Sequence, residues 1–225
     1  MTDSGPRPDF PIDDVLDRVR AAVAPFPPAV MFELADRGFA SLFHQLIACI
    51  VSVRTREEET LPICLRLFAA APDPATLAAL STAEIDHLIR PSTFHEQKAG
   101  RIREIAQIAA LAADTGLPCD RDATLGLPGV GPKCANLALG IACGLPLIAV
   151  DIHVHRVANR WGYVSASTPE RTMDALGAVL PERYRVEINR LLVPFGKHHC
   201  TGARPWCSRC PVRTECWRVG VTESR

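Results

Sequence analysis

Leu127-Pro-Gly-Val-Gly-Pro-Lys133 is followed by the apolar segment Cys134–Cys143, which stops at Gly144. Two glycines this close together allow positive φ angles and the close approach of another backbone, and a proline suits the first turn of the next helix. Free amides at a helix start, together with the positive end of its dipole, favour an anion such as a phosphate. The stretch therefore predicts two helices joined by a tight hairpin that faces a phosphate, although a plain turn between two packed helices fits the same glycines.

Helical patterns extend outward from this hairpin in both directions, and no segment alternates as a sustained strand would. Apolar stripes at helical spacing occur at Ile12–Val23, Leu42–Val51, residues 102–109 and Val186–Val193. Helix starts are indicated by the capping-box pairs Thr55 with Glu58 and Ser81 with Glu84, and by Thr168-Pro169. The stripe at 102–109 fades at Thr115-Gly116. We predict an all-α fold of about ten short helices joined by turns rich in glycine and proline.

The composition is that of a folded protein with no overall charge preference. Of 225 residues, 48% are hydrophobic and 22% are charged, and 25 basic residues balance 25 acidic ones. Disorder is excluded by this balance, and any surface that attracts nucleic acid must be local. No apolar run approaches the ~20 residues that cross a bilayer, and the first residues lack the pattern of a signal peptide. We expect a cytoplasmic protein with no membrane association.

Lys133 and Asp151 are the residues best placed for chemistry, because a lysine at a helix start suits Schiff-base formation with a carbon atom and a carboxylate can assist it. Lys133 stands at the start of the second hairpin helix, where the helix dipole and poor solvation in a cleft favour the neutral amine that attacks carbon. Eighteen residues later, Asp151 stands between the apolar Ala149-Val150 and a new helix, in the sequence Ala149-Val-Asp-Ile-His-Val-His-Arg156. It can project a carboxylate there, although a simple N-cap role fits the same position.

Four cysteines near the end of the sequence form its strongest motif. Cys200-x6-Cys207-x2-Cys210-x5-Cys216 places four thiolates within 17 residues. Such spacing predicts one metal centre, and by itself leaves zinc and a [4Fe-4S] cluster equally open. A ferredoxin-like electron carrier also fits these cysteines, but that role explains neither Lys133 nor the hairpin. The odd total of nine cysteines favours a reducing compartment, and we expect the other five, Cys49, Cys64, Cys119, Cys134 and Cys143, to be small buried hydrophobic residues.

The combination LPGVGPK with VDIHVHRV resembles the helix–hairpin–helix DNA glycosylases, and endonuclease III in particular, from about Phe32 to Trp217. This resemblance implies that Lys133 and Asp151 are catalytic. Lys133 would attack C1′ of the damaged nucleotide as its base leaves, and β-elimination from the resulting imine would cut the strand 3′ to the site. The resemblance also selects a [4Fe-4S] cluster, held by the four cysteines, over zinc.

Further residues are expected to contact DNA by the same resemblance. Arg54, in Ile50-Val-Ser-Val-Arg-Thr-Arg56, stands where the family has a glutamine that fills the space of the displaced base. Phe94 aligns with an apolar wedge in a second loop, where packing into the core is the alternative. His153 and Arg156 are expected near the DNA, with structural roles as alternatives. The remaining expected contacts are Gly129 and Gly131 of the hairpin and Arg204, which would present its cation to phosphates.

The resemblance completes a prediction for the whole chain. We expect a two-lobed helix–hairpin–helix DNA glycosylase fold, with a six-helix lobe at 35–146 and an iron–sulfur cluster lobe formed by 1–34 and 147–225. Damaged double-stranded DNA would lie between the lobes, with Lys133 and Asp151 on opposite walls of a pocket. The predicted protein is a monomer, nucleoid-associated if bacterial, that removes oxidised pyrimidines. The alternatives are an adenine-mismatch-type glycosylase and a catalytically weak DNA-binding iron–sulfur protein.

Overall fold

The computed structural model describes Arg7, residues 9–112, Asp114 and residues 116–225. The secondary structure of this described part consists of α-helices and two short 3-10 turns, which confirms the all-α prediction. The helices are α1 (Ile12–Val23), α2 (Val30–Asp36), α3 (Leu42–Ser52), α4 (Glu57–Ala70), α5 (Pro74–Ala79), α6 (Thr82–Ile89), α7 (His95–Leu111), α8 (Arg121–Leu125), α9 (Pro132–Cys143), α10 (Ile152–Trp161), α11 (Pro169–Val179) and α12 (Glu187–His198). No helix within these residues is long and apolar enough to cross a membrane.

Local sequence signals account for several of the helix ends. Ser81 and Glu84 form the predicted capping box at α6, and Thr168 caps α11 before Pro169. The Thr55–Glu58 prediction is wrong, because α4 begins after Arg56 and has no side-chain cap at that residue. The hydroxyl of Thr55 instead accepts hydrogen bonds from the amide of Thr93 and from the ammonium group of Lys98. Thr115, where the stripe of α7 was expected to fade, lies outside the described residues.

Contacts divide the chain into two units. One consists of Val30–Leu145, and the other joins the described residues before Val30 to Pro146–Arg225. In the first unit α3 is buried on nearly all sides and packs against α4, α7 and α9, since a helix that is apolar all round requires neighbours on every face. In the second, α1 and α10 pack against α12, and Trp161 and Phe195 are fully buried at the centre.

The cysteines outside the C-terminal motif correct one prediction. Cys49, Cys64 and Cys134 are free and buried, as expected. Cys119 and Cys143 are not small core residues, because they form a disulfide that connects the loop before α8 to the last residue of α9. The bond closes a covalent loop around the hairpin, and Cys119 is exposed. The burial of Cys119 and Cys143 was predicted from the apolar residues next to them in the sequence. Such neighbours do not show that the fold brings these two cysteines together.

Candidate active site

The hairpin places Lys133 at the second residue of α9. Gly131 is the N-cap, its side chain is absent, and Pro132 occupies the first turn, so no side-chain oxygen caps this helix start. The first backbone hydrogen bond of α9 runs from the amide of Ala135 to the carbonyl of Gly131, the N-cap residue, at 3.0 Å. Lys133 is exposed, so the expectation that it is poorly solvated is wrong for this structure. Its position in the first turn directs it away from the buried face that begins at Cys134.

The two hairpin glycines differ in what they contribute. Gly129 has φ +76°, and a Cβ atom there would lie 2.6 Å from Cδ of Arg101. Gly131 has φ −95°, so of the two glycines only Gly129 uses the positive φ that both allow. A Cβ atom at Gly131 would meet nothing within 4 Å. The absence of a side chain at Gly131 therefore leaves space over the helix start, whereas Gly129 makes the turn itself possible.

Asp151 belongs to the second unit and caps α10. Its Oδ1 accepts hydrogen bonds from the amides of His153, at 2.9 Å, and Val154, at 2.8 Å. The N-cap interpretation is therefore correct, and the cap holds the carboxylate in a defined orientation at the helix start. The residue is partly exposed, so capping and a role toward a bound molecule are compatible.

His153 and Arg156 are tied into the second unit. The Arg156 guanidinium donates to the carbonyls of Cys200, at 3.1 Å, and Gly196, at 2.9 Å, and lies 3.1 Å from Nδ1 of His153. A Cβ atom at residue 196 would lie 2.7 Å from Nδ1 of His153, so the glycine makes room for this pair. Burial lowers the pKa of Arg156, and these two carbonyls accept hydrogen bonds from its Nε and one of its terminal nitrogens. Arg156 thus joins α10 to the segment that carries Cys200. This is the structural role that was the alternative to DNA contact.

Arg54 and Phe94, which were expected in separate loops, stand next to each other in the first unit. Both are exposed and both have left-handed backbones, with φ values of 55° and 58°. The Arg54 guanidinium carbon lies 5.7 Å from the Phe94 ring centroid, within the range of a cation–π contact. Because Phe94 is 51% exposed, the alternative that it packs into the core is wrong.

Lys98 on α7 lies beside these two loops, and its burial was not expected from the sequence. It is 3% exposed, and its Nζ lies between the two loops that carry Arg54 and Phe94. Burial lowers its pKa to about 8. Lysine side chains near a helix start are usually solvated, so the sequence does not show that this one is buried.

The four C-terminal cysteines surround one cavity in the second unit. Cys200, Cys207, Cys210 and Cys216 all line it, together with the buried rings of Trp161 and Phe195. Their sulfur atoms are free thiols, and backbone and guanidinium N–H groups point at two of them. Arg160 donates to Sγ of Cys200 at 3.5 Å, and the amide of Arg218 donates to Sγ of Cys216 at 3.4 Å.

This donor set has the chemistry that an iron–sulfur cluster requires. Four cysteines around one cavity, with N–H donors to sulfur, match the usual ligands and surroundings of such clusters. Within the described residues, no three His, Cys, Asp or Glu side chains form a group arranged to hold a single metal ion.

Arg204, expected to face phosphates, is exposed, but its Nε lies 3.7 Å from Oε2 of Glu223.

Comparisons of the sequence with a family model and with known proteins indicate the same family. The model of the HhH-GPD superfamily base excision DNA repair proteins matches residues 47–182, which include the hairpin, Lys133 and Asp151. Endonuclease III of Thermotoga maritima is 38% identical over 174 residues, covering 77% of this chain and 82% of the relative. Endonuclease III homolog 2, chloroplastic, of Arabidopsis thaliana is 37% identical over 183 residues, covering 77% of this chain and 47% of that longer protein.

A solved structure extends the likeness to the backbone. The chain described as "Structure of a Trapped Endonuclease III-DNA Covalent Intermediate: Estranged-Adenine Complex" superposes with a TM-score of 0.75 and 26% identity, covering 92% of this chain and 94% of the other. Sequence, family model and backbone therefore agree. The chain belongs to the endonuclease III family of the HhH-GPD superfamily, the base excision repair enzymes that act as DNA glycosylases and abasic-site lyases.

Proposed function

We propose that this chain removes oxidised pyrimidines from duplex DNA and cleaves 3′ to the resulting abasic site, with Lys133 as the nucleophile. The observation that carries the proposal is the distribution of lysines. The sequence contains only three, Lys98, Lys133 and Lys197. Lys98 is buried and Lys197 is partly buried, whereas Lys133 is exposed at the hairpin. A Schiff base requires an amine that a sugar carbon can reach, and Lys133 meets that requirement.

The reaction follows from the groups present. Nζ of Lys133 forms a bond to C1′ as the bond between C1′ and the base breaks, and the base leaves with its electron pair and a proton. Asp151 stabilises the positive charge that develops on the sugar and takes a proton from the amine. The nitrogen lone pair then forms the imine double bond as the C1′–O4′ bond breaks and O4′ takes a proton, which opens the sugar ring. The imine makes the C2′ proton acidic, and loss of that proton expels the 3′ phosphate by β-elimination. The target nucleotide must first be swung out of the stack, because the glycosidic bond is inaccessible in a duplex.

The remaining parts of the proposal concern DNA contact and the cofactor. The uncapped start of α9 beside Gly131 suits a DNA phosphate, because its amides and dipole favour an anion. The four cysteines around their cavity suit a [4Fe-4S] cluster, which when bound supplies cross-links between the segments that carry the thiolates. In support, one similar solved structure is described as a trapped covalent complex of endonuclease III with DNA.

Borohydride trapping on an abasic-site duplex tests the nucleophile. The imine is reduced to a stable amine, so the wild-type chain should form a covalent adduct visible by denaturing electrophoresis. Lys133→Ala should lose the adduct and still bind the duplex, while Lys197→Ala, the matched control, should keep it. An undiminished adduct with Lys133→Ala would show that another amine attacks.

Asp151→Asn tests the carboxylate separately from the cap. Asparagine caps a helix about as well as aspartate, so α10 should be retained and only the charge is lost. We expect base release to slow by at least tenfold with unchanged thermal stability.

A further inference from the structure

Lys98 is a buried lysine whose three ammonium donors are all used. It lies in the first turn of α7. Its Nζ donates to the carbonyl of Val51 at 2.7 Å, to Oγ1 of Thr55 at 2.9 Å and to Oγ of Ser92 at 3.4 Å. A charge removed from water is costly unless it is fully hydrogen-bonded, and here three acceptors meet three donors. The amine is therefore held in one position.

The three acceptors come from two separate parts of the chain. Val51 and Thr55 lie at the end of α3 and in the loop after it, and Ser92 lies in the loop before α7. The same Thr55 Oγ1 accepts a hydrogen bond from the amide of Thr93, at 3.2 Å. One amine and one hydroxyl thus join the loop that carries Arg54 to the loop that carries Phe94.

The residues carried by these loops have backbones that need such support. Arg54 and Phe94 are left-handed non-glycine residues, a conformation that is unfavourable for side chains with a Cβ atom and persists where neighbouring structure enforces it. Thr55 follows Arg54 directly and Thr93 precedes Phe94 directly. The hydrogen bonds among Lys98, Thr55, Ser92, Thr93 and Val51, here called the Lys98 network, therefore hold the residues next to Arg54 and Phe94. They explain why the exposed Arg54 guanidinium stays beside the exposed Phe94 ring.

We propose that Lys98 is a positioning residue that holds Arg54 and Phe94 together as a single two-residue wedge for opening duplex DNA at the target nucleotide. This inference rests on the proposed function. In the gap left by a displaced base the Phe94 ring would stack against a neighbouring base, and the Arg54 guanidinium would bond the edge of the unpaired partner. Holding both side chains in place before binding avoids the entropy cost of ordering two loops on the DNA.

The test compares one abasic site in two substrates. In a duplex the site must be opened, whereas in a single-stranded oligonucleotide no partner strand has to be displaced. Lys98→Met removes the three donors and retains much of the side-chain volume. We expect single-turnover cleavage of the duplex to fall by at least tenfold and cleavage of the single strand to change by less than twofold.

Two further variants separate positioning from general damage to the fold. Thr55→Val removes the hydroxyl that joins the loops and keeps the shape of the side chain, so it should also show the duplex-specific loss. This variant replaces Lys98→Met in the test if Lys98→Met does not fold. Thr172→Val removes a buried hydroxyl in the other unit, and its ratio of duplex to single-strand cleavage should remain that of the wild type.

A double-mutant cycle gives the decisive comparison. In the background Arg54→Ala with Phe94→Ala, adding Thr55→Val should change duplex cleavage by less than twofold, because the network then has nothing to position. An equal loss on both substrates, or a full additional loss in that background, would overturn the proposal. A wild-type chain that cleaves neither substrate would instead contradict the proposed function itself.

Discussion

At the scale of single residues, the two hairpin glycines carry different physical requirements. Gly129 has a positive φ and faces the Arg101 side chain, whereas Gly131 has an ordinary φ and open space around it. The pattern Gly-Val-Gly gives both glycines the same appearance in the sequence. Only the backbone angles separate the residue that shapes the turn from the residue that leaves room above the helix.

Gly129→Ala and Gly131→Ala should therefore have different effects. A left-handed alanine costs about 1–2 kcal/mol, so Gly129→Ala should lower the free energy of unfolding by that amount, measured by urea denaturation. Gly131→Ala, the control for stability, should change it by less than about 0.5 kcal/mol, the usual range for unstrained surface substitutions. It should nevertheless weaken duplex binding, because the new methyl group stands where a phosphate would approach. Equal destabilisation by both variants would contradict this assignment.

At the scale of elements, the hairpin is closed by a bond between distant cysteines. Cys119 and Cys143 are 24 residues apart and enclose α8, the hairpin and α9. Loop-closure entropy predicts that such a cross-link stabilises the folded state by about 3 kcal/mol.

Reduction should reveal this contribution. The variant Cys119→Ser with Cys143→Ser, and the wild type in dithiothreitol, should both unfold at lower urea concentrations than the untreated wild type. Dithiothreitol should have no further effect on the double variant. Peptide mapping without reduction should recover the two cysteines in one linked peptide; recovery of both as alkylated thiols from a freshly purified sample would contradict the bond.

The packing of helices also determines where Arg54 and Phe94, the proposed wedge, are located. The loops after α3 and before α7 are about forty residues apart in sequence, yet a lysine and a threonine join them. Sequence motifs identified Arg54 and Phe94 one at a time. Their contact depends on the packing of α3 against α7, which no local pattern describes.

At the scale of the whole molecule, the cysteine segment completes the core of the second unit. Cys200 and Val212 are buried in the same apolar cluster as Trp161 and Phe195. A cluster bound by the four thiolates would therefore hold together residues on which that core depends, and metal binding would couple to folding.

Cys210→Ser tests this coupling. The wild-type protein should be brown, with visible absorbance and about four iron atoms per chain, and the variant should lose both and melt at a lower temperature. Cys64→Ala, which alters a buried cysteine of the first unit, should retain iron. Purification of a colourless wild-type protein with one zinc per chain would contradict the cluster.

The sequence by itself determined the features that depend on neighbours along the chain. The all-α fold, the hairpin, the Ser81 capping box, the Asp151 cap and the spacing of the four cysteines all follow from periodicity, turn chemistry or short ligand spacing. Tertiary structure alone decided the Cys119–Cys143 bond, the exposure of Lys133, and the meeting of Arg54 with Phe94 over a buried lysine. These depend on packing between helices that are far apart in sequence, because side-chain surroundings are set by which faces meet and not by local propensity.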